Sequence, residues 1–275
     1  MKNFLKLSAP ENPGKSSSTN ENRQLRMRVF AGPNGSGKST VIEHVKNYKV
    51  NGRPVDFGYY INADEIARSL RESSYSFTQF DFTTTDSEFS ATARASGLIN
   101  SAFTETQFAR SYSLSTNTIK LKDEKCNEQL AQIIADFLRK KLLQLRKRFS
   151  FETVFSHPSK LDVMKLATDQ GYKVYLYFVS TEAPEINVFR VKARTEKGGH
   201  DVPEDKIVSR YSRSLDLLYD ACQISYQTFF FDNSEDGKDS VMFAHFKKVG
   251  DRKQWDDLDV DNLPNWFLKY YINKV

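Results

Sequence analysis

Cysteine is scarce in this chain. Cys126 and Cys222 are the two it has in 275 residues. They stand far apart, in no CxxC or Cys/His spacing, which excludes a zinc site of the usual pattern and a disulfide scaffold. Also missing is any apolar run near the roughly 18 residues that a bilayer-crossing helix needs, so membrane spans are not expected. The opening MKNFLKLSAPENPGKSSSTNENRQ carries lysine but no hydrophobic stretch of useful length. It reads as a flexible polar lead-in over residues 1–24 rather than a signal peptide or anchor. A reducing, cytoplasmic compartment is the expectation. An excess of one charge is lacking too: 40 Lys and Arg face 35 Asp and Glu, a net of +5. That suits nucleotides, nucleic acid or an acidic protein without choosing among them. The densest basic cluster, Arg139-Lys140-Lys141 with Arg146-Lys147-Arg148, lies on a long amphipathic segment without interleaved aromatics. A solvated helix face fits it better than a nucleic-acid stripe.

What is present is alternation of strand and helix. Leu25 to Ala31 alternates apolar and basic residues, meets GPNGSGKST, and passes into a helix near Lys38. GYYIN (58–62) is a second strand, ending before Asp64 and a helix through Ile66, Ala67 and Leu70. Leu130, Ile133, Ile134, Phe137, Leu138, Leu142 and Leu145 mark one face of a long helix that delivers the chain to the strand RFSFETVF. A helix from Ser159 to Gln170, closed by Gly171, leads to Tyr172–Thr181, whose continuous apolar character marks a buried central strand. One helix from Pro184 carries Arg190 and Arg194 and stops at Gly198-Gly199. Another opens at Pro203, with Asp201 as its cap, and runs toward Cys222. TFFFDN and SVMFAHFKKV complete the sheet. The pattern predicts an α/β fold, a parallel sheet with helices on both faces. The domain is expected over 25–250, with 251–275 as a C-terminal appendage. Residues 72–122, rich in Ser, Thr and Phe and without clean period, are expected as an insertion of short helices that serves as a functional cover.

Gly32-Pro33-Asn34-Gly35-Ser36-Gly37-Lys38-Ser39 fits G-x-x-x-x-G-K-[ST] between a strand and a helix, the context that supports a nucleotide-binding loop. Residues 32–40, Thr40 included, are thus expected to hold ATP. The backbone N–H groups cradle phosphate, Lys38 reaches the β- and γ-phosphates, and Ser39 ligates Mg²⁺. No LSGGQ-like signature, Asp-Glu strand end or NKxD element is found, which leaves a small kinase. Asp64 and Glu152 stand at strand ends beside this loop, where open α/β sheets bind ligands. Asp64 reads as a general base or as a first-turn helix carboxylate. Glu152, set in an apolar strand, reads as an acceptor-binding or second-shell Mg²⁺ residue. Arg190 and Arg194 share a helix face before a hinge-like glycine pair and His200, and read as a lid over the triphosphate. Arg210 and Arg213 share a later face without a decided role. His44 and His245 read as structural or surface residues, and His157 as at most a substrate neighbour.

With GPNGSGKST, INADEIA, FETVFSHPSK, GYKVYLYFVST and GGHDVPEDKIVSRYSRSL in order over most of residues 25–235, the chain resembles the zeta-toxin family of P-loop kinases, in particular its stand-alone bacterial branch. The resemblance implies a P-loop kinase-like fold and transfer of the ATP γ-phosphate to a hydroxyl of a nucleotide-linked metabolite. In the best-known members that metabolite is UDP-N-acetylglucosamine, and an antitoxin protein is the restraining partner. It implies Lys38 and Ser39 as the Walker residues, Asp64 as catalytic base, Glu152 as the acidic residue of the substrate strand, and Arg190 or Arg194 as the first lid arginine. Two positions depart from the pattern. Thr153-Val154 replaces Gly-Thr, so that the acceptor contact either moves to Thr153 or Ser156 or is lost, and His200 stands for the second lid arginine, with a charge that depends on pH. Two other functions fit the same residues: a kinase of nucleic-acid termini, and an ATP-gated interaction protein docking through 72–122.

Overall fold

The computed structural model describes residues 24–199 and 201–275. His200 and nearly all of the expected lead-in lie outside the described residues. Contacts divide the chain into two compact units, one made of residues up to Phe57 with Glu152–Val275 and the other of Gly58–Phe151.

The first unit opens with β1 (Arg26–Ala31), α1 (Lys38–Asn47) and a short hairpin of β2 (Lys49–Val50) and β3 (Arg53–Pro54). The second runs through β4 (Tyr59–Ile61), α2 (Ala63–Glu72), β5 (Tyr75–Ser76), α3 (Asp86–Arg94), α4 (Glu105–Ser111), β6 (Tyr112–Ser115), β7 (Thr118–Leu121) and α5 (Asn127–Gln144). The next strand, β8 (Phe149–Thr153), spans the boundary. The first unit resumes with α6 (Ser159–Asp169), β9 (Lys173–Ser180), α7 (Pro184–Glu196), α8 (Glu204–Asp216), α9 (Leu218–Ile224), β10 (Gln227–Asp232), β11 (Val241–Val249), β12 (Arg252–Trp255) and α10 (Asn265–Tyr270). The class is α/β as expected, with parallel strands alternating with helices.

In the first unit β1 pairs with β9 and β9 with β10, both parallel, while β10–β11 and β11–β12 are antiparallel. Register places Phe30, Tyr177, Phe229 and His245 side by side on these strands. Their rings stack with centroids 4.6, 4.7 and 4.3 Å apart. Phe57 caps the row at 5.4 Å from Phe30. Buried neighbours on one face of a pleated sheet favour such aromatic pairs.

Three expectations are corrected. Residues 251–275 are no appendage: β12 is a strand of the sheet, and Trp266, Phe267 and Tyr271 are buried in the core. Phe267 packs at 4.9 Å from Phe230, and Trp266 Nε1 donates to Asp232 Oδ1 at 2.8 Å. The helix from Pro203 breaks at Leu217 into α8 and α9. Asp201 does not cap it, since the N-cap is Pro203 with no side-chain bond, and the Asp201 carboxylate lies 3.4 Å from the Thr195 hydroxyl.

In the second unit β4 pairs with β8 in parallel and α2 packs on α5. Residues 72–122 hold the expected short helices and also an antiparallel three-stranded sheet ordered β5-β7-β6. Thr104 closes a capping box on α4 with Gln107, which explains why so short a helix starts where it does. Among the described residues no helix is long and apolar enough to cross a membrane.

Candidate functional site

The loop between β1 and α1 is built on glycines. Gly32, Gly35 and Gly37 have φ of +146°, +76° and +90°. A Cβ at Gly35 would lie 2.6 Å from the Asn187 carbonyl oxygen, and one at Gly37 would lie 2.1 Å from Asn233 Nδ2. Both conformation and space therefore demand glycine. Lys38, the first residue of α1, is buried. Its Nζ donates to the Pro33 carbonyl at 2.9 Å and lies 3.8 Å from Glu152 Oε1. The ammonium is thus held over the loop, and a carboxylate that would be costly to bury alone has a cation beside it. The structure brings together these two residues, which the sequence leaves 114 positions apart.

Ser39 and Thr40 are exposed in the first turn of α1, which contains no acidic side chain to oppose an anion at the helix start. Ser36 Oγ is fully buried and has no hydrogen-bond partner among the described residues. Such an orphaned polar atom inside a loop of left-handed glycines fits a loop that closes on phosphate oxygens. No group of three or more His, Cys, Asp or Glu able to hold a metal occurs among the described residues. A Mg²⁺ here would take the Ser39 hydroxyl with phosphate and water oxygens, the donor set that ion prefers.

After Glu152 the chain turns sharply. Phe155 is buried with φ +60°, a left-handed conformation rare for a bulky residue. The Thr153 hydroxyl accepts from Phe155 N at 3.1 Å and so helps to hold the turn. Strain of this kind concentrates at functional sites. Ser156 follows, half-buried.

Of the two expected lid arginines, Arg190 is bound within the fold. Its guanidinium donates to the carbonyls of Asn233 at 2.6 Å and Glu235 at 3.0 Å. Arg194 lies one turn on and is exposed. The arginine that reaches the loop is Arg210 of α8, with Nη1 3.5 Å from Asn34 Oδ1. Burial, and then the nearby Arg213, hold its pKa below the usual arginine value. Helical spacing put Arg210 and Arg213 on one face, but no sequence signal aimed that face at the loop.

Asp64 belongs to the second unit. It is exposed in the first turn of α2, where Asn62 caps the helix by accepting from Asp64 N at 2.9 Å. The basic segment at the end of α5 and just beyond it is only in part a solvated face: Arg146 is exposed, while several of its neighbours are paired. Arg139 is buried, pairs with Asp136 at 3.2 Å and lies 5.3 Å over the Phe151 ring. Lys140 pairs with Asp136 at 2.8 Å, Lys141 with Glu88, and Lys147 donates to the carbonyls of Phe80 and Asp81. These cations hold the unit's own parts together. His157 bonds locally to Ser159 at 2.9 Å, and His245 is a core residue.

No family model matches the chain. An uncharacterized protein of Haemophilus influenzae is 38% identical over 63 residues, which are 23% of this chain and 45% of that protein. The match therefore spans less than half of that relative. Among solved structures, AvrRxo1-ORF1:AvrRxo1-ORF2 with sulphate ions is similar with a TM-score of 0.51 and 15% identity, over 85% of this chain and 61% of that one. This chain thus spans about three fifths of that structure's length. The PezAT chromosomal toxin-antitoxin system of Streptococcus pneumoniae gives a TM-score of 0.46 and 14% identity, over 94% and 81% of the two chains. At 15% identity what this chain shares with the AvrRxo1-ORF1:AvrRxo1-ORF2 structure is a fold.

Proposed function

We propose that this chain, which has the fold of the zeta-toxin-like P-loop kinases, transfers the γ-phosphoryl group of ATP to a hydroxyl of a nucleotide-linked small molecule. The observation that carries the reading is the buried Lys38 ammonium, held between the Walker loop and Glu152 at 3.8 Å. It is a cation fixed where developing phosphate charge needs one and backed by a carboxylate at a strand end. Loop amides and Lys38 bind the β- and γ-phosphates. Ser39 would hold a Mg²⁺ ion, which when bound would supply charge neutralisation. The acceptor oxygen attacks the γ-phosphorus, the bond to the β,γ-bridging oxygen breaks, and ADP leaves. Asp64 accepts the hydroxyl proton. Glu152 orients the acceptor with Ser156, while Thr153 acts indirectly by shaping the turn. Arg210 adds a second cation at the loop, and Arg194 belongs to the segment that closes over the triphosphate.

UDP-N-acetylglucosamine is the first acceptor to try, and an antitoxin-like protein is the first partner to seek. The two named systems that share this fold carry second components, which supports that search and does not identify a partner. Internal pairing of the α5 cations favours a small molecule over nucleic acid as substrate. The test is mass spectrometry of a metabolite extract incubated with ATP and Mg²⁺, comparing wild type with Asp64→Ala. One species is expected to gain a single phosphoryl group, and its yield should fall at least a hundredfold in the variant while ATP binding persists. Undiminished transfer by Asp64→Ala removes that residue from the role of base. No new species with ATP bound would favour the ATP-gated interaction protein.

A further inference from the structure

A Walker loop works by aiming N–H groups at phosphate. A trans peptide is planar, so its N–H points opposite to its carbonyl. The carbonyls of Asn34 and Ser36 therefore fix where the N–H groups of Gly35 and Gly37 point. Both peptides lead into glycines at positive φ, where rotation of the peptide plane meets little steric resistance. Something else must hold them.

Each carbonyl is gripped by a carboxamide. Asn187 Nδ2 donates to Asn34 O at 2.5 Å, and Asn233 Nδ2 donates to Ser36 O at 2.9 Å. Neither asparagine is loose. Asn187 is fully buried, and its Oδ1 accepts from the Thr181 hydroxyl. The Thr181 carbonyl in turn accepts from Tyr211 OH at 2.6 Å. Asn233 N donates to Ser180 O at 2.9 Å, and its carbonyl takes the Arg190 guanidinium at 2.6 Å. Beside it, Asp232 is fixed by Trp266 Nε1 and by the Ser234 hydroxyl, both at 2.8 Å. A neutral carboxamide suits the task. A lysine in its place would compete for the phosphates, and a carboxylate would repel the carbonyl.

We infer that Asn187 and Asn233 are positioning residues that hold the Gly35 and Gly37 amides toward the nucleotide phosphates, with Arg190 bracing Asn233. The inference deepens the kinase reading and rests on it for the identity of the ligand. Its test uses the full chain labelled with ¹⁵N-glycine. N–H residual dipolar couplings are measured on the ligand-free protein, and Mg-ATP affinity is measured by calorimetry. Asn187→Ala should change the coupling of Gly35, and Asn233→Ala and Asn233→Asp that of Gly37, leaving distant Gly171 and Gly250 unchanged. Each should weaken Mg-ATP about tenfold, the loss of one charge-assisted contact. A merely structural role would lower the melting temperature without moving one chosen glycine. Asn233 is half-exposed, so its variants keep the test open if Asn187→Ala fails to fold. Unmoved glycine couplings in folded variants overturn the inference, as does Mg-ATP affinity within twofold of wild type. Failure of wild type itself to bind Mg-ATP would strike the kinase reading, while the ligand-free couplings would still decide the positioning role.

Discussion

Two aromatic groups of this chain, one in each unit, are built by different rules. On one face of the first unit's sheet, rings align face to face from Phe57 through Phe30, Tyr177 and Phe229 to His245, with neighbouring planes within 21°, while elsewhere in the same unit Phe230 meets Phe267, and Trp255 meets Tyr271, edge-on. In the second, Phe89 meets Phe137 and Tyr112 at 5.2 Å with planes near perpendicular, and Phe77 meets Phe137 at 5.3 Å. Those rings come from a 3₁₀ turn, the short helix α3, strand β6 and α5. The sheet imposes a spacing that every ring on its face inherits, whereas the cluster has no lattice and depends on how individual rings interlock. A defect should therefore spread differently in each. The row can lose one ring and remain a sheet held by backbone pairing, while the cluster loses the contacts that define it.

The largest effect expected is that of Phe89→Ala. Phe89 is fully buried with four aromatic neighbours, and truncating such a residue costs about 3–5 kcal/mol. Hydrogen exchange should rise first across residues 75–137. Exchange in that span unchanged from wild type would break the distinction between the units. Phe229→Leu in the first unit should cost less, about 1–3 kcal/mol from two lost stacking contacts. Exchange in β9 and β10 should remain slow, since their ladder bonds persist. Both tryptophans, Trp255 and Trp266, lie in the first unit, so a fluorescence-monitored denaturation reports its stability directly. A cost in Phe229→Leu equal to that in Phe89→Ala would show that the sheet offers no such tolerance.

The same contrast governs what the sequence discloses. The Walker loop is legible because its chemistry is contiguous, and Glu152 because a carboxylate in FSFETVF has no apolar reason to be there. Central strands announce themselves by unbroken burial, as in β9, whose last five residues are all buried. Strand β12 does not, because RKQW is an edge strand of mostly polar residues, with Arg252 and Gln254 exposed. Nor do residues 72–122, where phenylalanines meet by interlocking rather than by period. Asn187, Asn233 and Arg210 are invisible for another reason. They approach the loop from two helices and a strand end, and asparagine is ordinary at such places. Only the hydrogen bonds to Asn34 and Ser36 distinguish them. Trp266 is similar: its anchoring to Asp232 turns an expected appendage into support for the loop.

The smallest effect tests the end of the aromatic row. His245 is 4% exposed, stacks on Phe229, and pairs through Nδ1 with Asp256 at 3.0 Å, while its Nε2 is buried without a hydrogen-bond partner among the described residues. Burial lowers its pKa below the ordinary histidine value; Asp256 opposes this shift and Lys247 adds to it. The folded protein thus holds the ring neutral where the unfolded chain would already protonate it. In that window the unfolded state binds more protons, so stability rises with pH and is lost as pH falls from the unfolded pKa, near 6.5, through the lower folded one. His245→Phe continues the row and removes the titration. Its melting temperature should change less than that of wild type between pH 7.5 and pH 5. A wild-type curve no steeper than the variant's would mean that Asp256 compensates the buried proton, and that the row ends in an ion pair rather than in a neutral ring.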